Sequence, residues 1–226
     1  MVNIKSSLFF LFAGAGVIAF SACSKSGSSS STNAKLLFAN GCVGATSTTV
    51  TVNGTNLPNA TAIAYLGNSG YQTVTAGEDV ITGVLTGVGS LGTVNATLSA
   101  NASYSVFDCG TVLADTLILV TDTFPASIGN YAYARLVNVS SDSTATSITG
   151  AVGNTVIGSK IPYAAASAFT QITPGAYTIN AFNVNKPANI ASLSSVQLNA
   201  GKIYTLMYSG NSSSTVGFKL TTINNN

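Results

Sequence analysis

Side chains that could carry out chemistry are few and scattered in this chain. It contains no histidine, so neither a Ser-His-Asp triad nor an imidazole-activated cysteine is available. The carboxylates are Glu78, Asp79, Asp108, Asp115, Asp122 and Asp142. Only Glu78 and Asp79 are adjacent, and neighbours along a strand point to opposite faces, which makes them a poor acid–base pair. We therefore predict no catalytic residue and a protein that is not an enzyme.

Metal, cofactor and nucleic-acid sites are not predicted either. Structural zinc needs clusters of Cys and His, and calcium needs several oxygen donors in one loop. The sequence offers neither pattern, and the polar segment 140–143 is explained by a turn. Arg135 could pair with Asp142 or bind an anion, and we expect an exposed or structural pairing. A net charge of +2 is too small to indicate a nucleic-acid partner.

Cys23 carries the most specific chemical signal. Residues 8–20 are apolar, and Phe20-Ser21-Ala22-Cys23 resembles the bacterial lipobox, in which the cysteine thiol receives a diacylglycerol. The following polar residues are typical of a flexible tether. We predict a lipoprotein signal peptide over residues 1–22, lipidation at Cys23 and a tether over 23–33. The lipid would attach the protein to a membrane of the cell envelope, expected to be the outer membrane, on its periplasmic or its surface face. An ordinary signal peptide with an incidental cysteine is the alternative.

The rest of the chain contains an internal repeat, in which one sequence unit occurs twice. Leu98–Gly110 (LSANASYSVFDCG) and Leu198–Gly210 (LNAGKIYTLMYSG) share Leu, Ala, Tyr and Gly in register, at an offset of 100 residues. Val, Thr, Ser and Tyr are plentiful and Gly and Asn punctuate them, which suits short strands joined by tight turns. Each unit is close to the ~100 residues of a β-sandwich.

These patterns predict an all-β protein with two tandem immunoglobulin-like antiparallel β-sandwich domains. We place repeat 1 at residues 34–122, a linker at 123–132 and repeat 2 at 133–226. The strands predicted for repeat 1 are 35–39, 48–53, 62–66, 71–75, 80–85, 92–98, 103–108 and 116–121. Those predicted for repeat 2 are 133–139, 146–152, 155–158, 167–173, 177–183, 192–198, 203–208 and 216–222.

Repeat 2 resembles the bacterial family called domain of unknown function 4397. The resemblance lies in residues 134–142 (ARLVNVSSD), 161–163 (IPY), 173–178 (TPGAYT) and 198–206 (LNAGKIYTL). Repeat 1 is more divergent, with Lys35 where the family pattern has Arg. The resemblance implies an exported, often lipid-anchored β-sandwich and brings no known activity.

Cys42 and Cys109 are the remaining cysteines, and both lie in repeat 1. Their counterparts in repeat 2 are Asp142 and Ser209, so both cysteines are absent from the second unit together. The first and last strands of an immunoglobulin-like sandwich can run parallel, which would bring their trailing ends together. We predict a disulfide bond between Cys42 and Cys109 in an oxidising compartment. Two free, buried thiols are the alternative.

The function that these observations favour is a non-catalytic, membrane-tethered module for binding, adhesion or envelope structure. Its partner would be an unidentified protein or glycan. The alternative is a carbohydrate- or polymer-binding component of an outer-membrane nutrient-uptake system. That alternative needs an exposed aromatic platform. The chain has no Trp, and the candidate residues are Tyr65, Tyr71, Tyr131, Tyr133 and Tyr163.

Overall fold

The computed structural model describes residues 32–142, 147–183 and 186–226, with the backbone alone at 186–190. Cys23, the signal segment and all but the end of the tether lie outside these residues. The described residues form β-strands, turns and irregular segments. No helix among them is long and apolar enough to cross a membrane.

Within the described ranges, repeat 1 contributes eight strands and repeat 2 contributes nine, which confirms the all-β prediction. The first eight are β1 (Asn33–Asn40), β2 (Thr48–Val52), β3 (Thr55–Asn56), β4 (Asn68–Thr75), β5 (Gly77–Leu85), β6 (Gly89–Leu98), β7 (Ser103–Thr111) and β8 (Ala114–Thr121). The others are β9 (Ala132–Asn138), β10 (Ser147–Val152), β11 (Thr155–Pro162), β12 (Ala165–Ala166), β13 (Thr170–Ile172), β14 (Gly175–Asn183), β15 (Lys186–Leu198), β16 (Ile203–Gly210) and β17 (Phe218–Asn224).

The two repeats have the same sheet topology. Repeat 1 forms an inner sheet in the order β4-β1-β7-β8 and an outer sheet in the order β3-β2-β5-β6. In repeat 2 the inner sheet is β12-β9-β16-β17, with β13 also pairing with β9, and the outer sheet is β11-β10-β14-β15. The pairs β1–β7 and β9–β16 are parallel, and the other pairs are antiparallel. The first strand of each sandwich, β1 or β9, therefore runs beside the last strand but one, β7 or β16, in the same direction.

Two of the predicted strands differ from those observed. The segment 62–66 forms only an isolated bridge between Ile63 and Thr48. Ala62 and Leu66 both have positive φ angles, 58° and 66°, which lie outside the extended region that strand pairing requires. In repeat 2 only residues 170–172 of the predicted strand 167–173 form a strand, β13, and the short strand β12 lies just before the predicted range.

Both inner sheets are buried on both faces, and this burial organises the whole fold. Leu36 and Phe38 of β1 point into the core of the first sandwich, whereas Leu37 and Ala39 point the other way. Those outward residues meet the corresponding face of the second inner sheet. The shared cluster contains Leu37, Ala39, Phe107, Cys109, Val137, Val139, Met207 and Ile223. The two sandwiches thus stack as four layers, and we call the contact between the inner sheets the seam.

No described sheet mixes strands from before residue 122 with strands from after residue 131. The two repeats nevertheless pack into one compact unit, Ser31–Asn226. The domain boundaries predicted above stay a prediction, because the repeats do not separate into independent bodies.

Candidate functional site

Arg135 is the centre of a buried polar network in the seam. The residue lies on β9 and is only 1% exposed, because the seam covers that face of the sheet. One of its terminal nitrogens lies 2.6 Å from a carboxylate oxygen of Asp122 and donates a hydrogen bond to the Ser105 hydroxyl at 3.1 Å. Its Nε donates to the Thr205 hydroxyl at 2.9 Å. A buried guanidinium needs such partners, since an unpaired charge in the interior is costly.

The network closes into a ring that joins the repeats. The Thr205 hydroxyl donates to the Asn225 side-chain oxygen at 2.8 Å, and the Asn225 amide donates to the Tyr71 hydroxyl at 3.2 Å. Tyr71 in turn donates to Asp122, which also accepts a hydrogen bond from Ser105 at 2.8 Å. Burial and the Asp122 charge raise the pKa of Tyr71. The phenol therefore stays protonated and serves as a donor.

The ring is built from equivalent positions of the two repeats. Ser105 on β7 and Thr205 on β16 occupy equivalent positions. Asp122 and Asn225 are also equivalent, because the backbone N–H of Asp122 donates to the Ser103 carbonyl and that of Asn225 donates to the Ile203 carbonyl. By strand register the position of Arg135 corresponds to Leu37, because Arg135 pairs with Thr205 and Leu37 pairs with Ser105. Lys35, which the sequence alignment matched with Arg135, pairs instead with Ser103 and is exposed. Repeat 2 therefore contributes the buried cation.

The pairing of Arg135 with Asp142 that the sequence suggested is not found. Asp142 lies at the far end of repeat 2 and accepts hydrogen bonds from the backbone N–H and the hydroxyl of Ser212, at 2.5 and 2.6 Å. The structural role expected for Arg135 is present, but the residue is buried rather than exposed. Sheet stacking, which the sequence does not reveal, supplies its partner from the other repeat.

Aromatic rings gather where the linker leaves the polar ring. The guanidinium carbon of Arg135 lies 4.6 Å from the centre of the Phe169 ring. Phe124 of the linker packs against Phe169 with ring centres 5.6 Å apart, and against Tyr71 edge-on at 6.2 Å. Such tilted and edge-to-face arrangements are favourable for aromatic side chains. Phe124 thus fastens the linker to both repeats.

Two open grooves flank Phe124 and are lined from both repeats. The first has a volume of about 570 Å³ and is lined on its aromatic side by Phe124, Tyr133 and Phe169. The second has a volume of about 590 Å³ and runs past Tyr71 and Ile128. Volumes of this order are typical of ligand pockets. We call the first the linker groove and treat it as the candidate binding site.

The opposite end of the seam is closed by a second set of hydrogen bonds. The hydroxyls of Tyr65 and Ser209 lie 3.0 Å apart, and Ser209 donates to the Gly41 carbonyl at 2.6 Å. Gly41 packs so closely that a Cβ there would lie 2.4 Å from the Val139 side chain. The seam is therefore fastened at both ends and leaves no room for a side chain at Gly41.

The five tyrosines proposed as a platform do not lie on one exposed surface. Tyr65 and Tyr71 bond across the seam, and Tyr163 packs against the seam cluster. Tyr131 is 45% exposed, and Tyr133 lies in the linker groove with its hydroxyl bonded to Gln171 at 3.0 Å. Only Tyr133 of the five lines the candidate site.

The predicted disulfide bond between Cys42 and Cys109 is absent, and both residues are buried free thiols. The strand ends do run side by side, with Asn40 opposite Asp108 and Val43 opposite Thr111. This register places the two cysteines one position out of step, and successive residues point to opposite faces. Cys109 accordingly packs into the seam, whereas Cys42 packs with Ala45 and Leu85 inside repeat 1.

The carboxylates do not converge on the linker groove. Asp79 accepts a hydrogen bond from Asn53 at 2.7 Å on repeat 1, and Asp122 is committed to the polar ring. Across the described ranges, no three Asp, Glu or Cys residues form a group that could hold a metal ion. The structure does bring together one carboxylate pair that the sequence analysis missed, Asp108 and Asp115.

Asp108 is fully buried inside repeat 1, and neither of its carboxylate oxygens has a hydrogen-bond partner. Burial, and secondarily the charge of Asp115, raise the pKa of Asp108 to about 7. A signal for the pair was present in the repeat alignment. Their counterparts in repeat 2 are Tyr208 and Phe218, so two carboxylates stand where the other repeat has two aromatic rings.

This fold and this seam define a tandem β-sandwich protein whose two repeats are joined by a buried polar ring. The chain belongs to the family described as Domain of unknown function (DUF4397), whose model matches residues 34–149 and again residues 132–226. The resemblance noted for repeat 2 is therefore confirmed and extends over repeat 1. A comparison with curated proteins gave no match.

Similar solved structures come from Eubacterium rectale and from Bacteroides species. A family 26 carbohydrate-binding module of Eubacterium rectale Amy13K, solved with maltoheptaose, is 13% identical, with 84% of this chain and 96% of that chain covered and a TM-score of 0.27. A candidate cell adhesion protein of Bacteroides uniformis is 8% identical, with coverages of 85% and 96% and a TM-score of 0.28. A candidate adhesin of Bacteroides ovatus is 9% identical, with coverages of 84% and 92% and a TM-score of 0.26. At these TM-scores the similarities support no functional argument.

Proposed function

We propose that this protein is a lipid-anchored binding or adhesion module of the cell envelope that carries out no reaction. The observation that carries the proposal is the linker groove, which exists only because both repeats pack against Phe124. Arg135 is the charged residue in its lining, and it is already paired with Asp122. A groove without a free acid or base is suited to holding a ligand and lacks the groups for general acid–base catalysis.

The anchor in this proposal rests on the lipobox-like segment ending at Cys23 and on the tether that follows it. Acyl chains on Cys23 would hold the folded part at a membrane, since each buried methylene contributes about 0.8 kcal/mol. Metabolic labelling with a palmitate analogue tests this step in cells that express the full chain. Label should enter the wild-type protein and be absent from Cys23→Ser. Equal labelling of both would contradict the anchor and leave the groove untested, so the two parts can be judged separately.

The groove is tested by removing its aromatic walls. Phe169→Ala in the full chain should abolish binding to whatever envelope or host surface retains the wild-type protein. Val156→Ala provides the matched control, because Val156 is an apolar residue that is 52% exposed and lies away from the groove. Unchanged retention of Phe169→Ala, with its folding verified by circular dichroism, would remove the groove as the binding site.

A carbohydrate ligand is the second candidate. It is favoured by the aromatic faces of Phe124 and Phe169 beside the exposed hydroxyl of Thr123 in the same groove. Aromatic faces stack on apolar surfaces, and hydroxyl groups supply adaptable hydrogen bonds. A glycan array probed with the full chain and with Phe124→Ala separates the candidates. Signals that disappear with Phe124→Ala support a glycan ligand, and an array without signals favours a protein partner.

A further inference from the structure

At equivalent ends of their sandwiches, repeat 1 has two carboxylates and repeat 2 has two aromatic rings. In repeat 2 the rings of Tyr208 and Phe218 stack with centres 5.6 Å apart and planes 19° from parallel. Strand register assigns Asp108 to the position of Tyr208, and Asp115 to the position of Phe218. The first repeat has thus exchanged a pair of rings that pack the core for a pair of smaller, negatively charged groups.

The buried oxygens at this end of repeat 1 lack partners. Both carboxylate oxygens of Asp108, one of Asp115 and the hydroxyl oxygen of Thr48 are buried without a hydrogen bond. Thr48 lies on the facing sheet, and its methyl group shares the space beside Gly83 with Leu117, since a Cβ on Gly83 would be 3.6 Å from both. Leu117 is the strand partner of Asp108. Buried polar groups are nearly always satisfied, so such a cluster of oxygens points to a ligand.

The glycine opposite Asp115 makes room for its carboxylate. A Cβ at Gly92 would lie 3.2 Å from an Asp115 carboxylate oxygen and 2.8 Å from the Leu117 backbone nitrogen. Gly92 has no positive φ angle that would require glycine. The close approach of β6 to the backbone of β8 at Leu117, beside the Asp115 carboxylate, explains this glycine without reference to backbone strain.

We propose that Asp108 and Asp115, with the Thr48 hydroxyl, bind a divalent cation of the calcium type inside repeat 1. A single shared proton can bridge only two oxygens, and it would leave the others unsatisfied. A hard divalent cation takes about six to eight oxygen ligands, including carboxylates and main-chain carbonyls, and balances the two negative charges. Two carboxylates and no third acidic residue correspond to the weak end of the range, with a Kd on the order of 10⁻⁴–10⁻³ M, as in extracellular calcium modules.

Calcium titration of the chelator-treated full chain tests the proposal. We expect Ca²⁺ to raise the unfolding temperature of the wild type, because a ligand that binds only the folded state stabilises it. Isothermal titration calorimetry should give the same affinity as the thermal shift. Asp115→Asn should weaken Ca²⁺ binding about tenfold or more, since it removes one of the two charged ligands. This variant is preferred over Asp108→Asn because Asp115 is partly exposed and tolerates change better.

Asp142→Asn is the matched control, because Asp142 is a buried acid at the equivalent end of repeat 2. It should lose stability through its bonds to Ser212 and keep the full calcium response. An identical calcium response in wild type and Asp115→Asn would overturn the proposal. So would a wild type that shows neither a thermal shift nor heat of binding with millimolar Ca²⁺. Neither outcome bears on the linker groove, which lies in the seam and shares no residue with this site.

Discussion

The Arg135 guanidinium of repeat 2 lies 2.6 Å from the Asp122 carboxylate of repeat 1, and both side chains are almost fully withdrawn from solvent. Each charge is therefore compensated only while the two repeats are packed together. Removing one repeat would leave the other with an unpaired buried charge or an exposed apolar sheet face. We therefore expect the two repeats to unfold together, although the sequence contains two similar units.

Removing the guanidinium should destabilise the whole protein. We expect Arg135→Ala to lower the free energy of unfolding by about 3–5 kcal/mol, because it leaves Asp122 buried without its partner. Lys35→Ala is the control, because Lys35 is an exposed cation on the first strand of repeat 1, and it should change stability by less than about 0.5 kcal/mol. Urea denaturation of the full-length variants measures both values. Equal effects of the two substitutions would argue against a special role for the buried pair.

A methyl group at Gly41 should disturb the seam. We expect Gly41→Ala to cost about 1–3 kcal/mol of stability, because its Cβ would lie 2.4 Å from Val139 and 2.8 Å from the Asp108 carbonyl. Gly83→Ala provides the control, because its Cβ would meet its neighbours at an ordinary 3.6 Å. It should be neutral or stabilising, since alanine reduces the entropy of the unfolded chain. Thermal unfolding of the two variants side by side checks the expectation, which fails if Gly41→Ala is as stable as the wild type.

Cys42 and Cys109 should resist thiol reagents in the folded protein. Both are buried, and burial raises the pKa of each thiol, which keeps them protonated and unreactive. Alkylation followed by peptide mass spectrometry should leave both residues unmodified in the native protein and modify both after denaturation without reductant. Recovery of a peptide in which Cys42 is linked to Cys109 would contradict this expectation and support the disulfide bond predicted from the sequence.

Asp108 should make stability depend on pH when calcium is removed. Its pKa is raised from the ordinary 3.8 of an aspartate to about 7 in the folded protein, so the folded state binds the extra proton. The associated stability is fully present below about pH 4, declines as the pH rises, and is lost above about pH 7. In chelator, Asp108→Asn should flatten this part of the profile, because the amide does not titrate. Denaturation midpoints measured from pH 4 to pH 8 decide the matter, and parallel profiles for the two proteins would count against it.

Much of the local structure could be predicted because it follows from short-range patterns. The alternation in β5 and the Asn53-Gly54 turn after β2 specify strands and their connection directly. The repeat offset indicated that the fold was used twice. The segment 62–66 was mispredicted because its composition suits a strand, whereas the backbone at Ala62 and Leu66 adopts positive φ angles.

The candidate sites were harder to predict because they depend on distant contacts. Arg135 and Asp122 lie 13 positions apart in the sequence, and nothing in their spacing shows that two sheets will bury them together. Cys42 and Cys109 were correctly placed on neighbouring strand ends, but a register difference of one residue turned them to opposite faces. Phe124 lies in the predicted linker, and no pattern in the sequence indicated that its ring packs against Phe169.

The sequence by itself determined the strand content, the duplication and the family, since these depend on alternation, turn residues and matched positions along the chain. Only the tertiary structure decided that the inner sheets stack. β7 and β16 are buried on both faces and carry large apolar side chains on each, and a sheet of that kind must be covered on two sides. Which surface covers the outward face of each inner sheet depends on three-dimensional complementarity. In this protein each inner sheet is covered by the other, and this packing forms the polar ring and the linker groove and places Cys109 in the seam, away from Cys42.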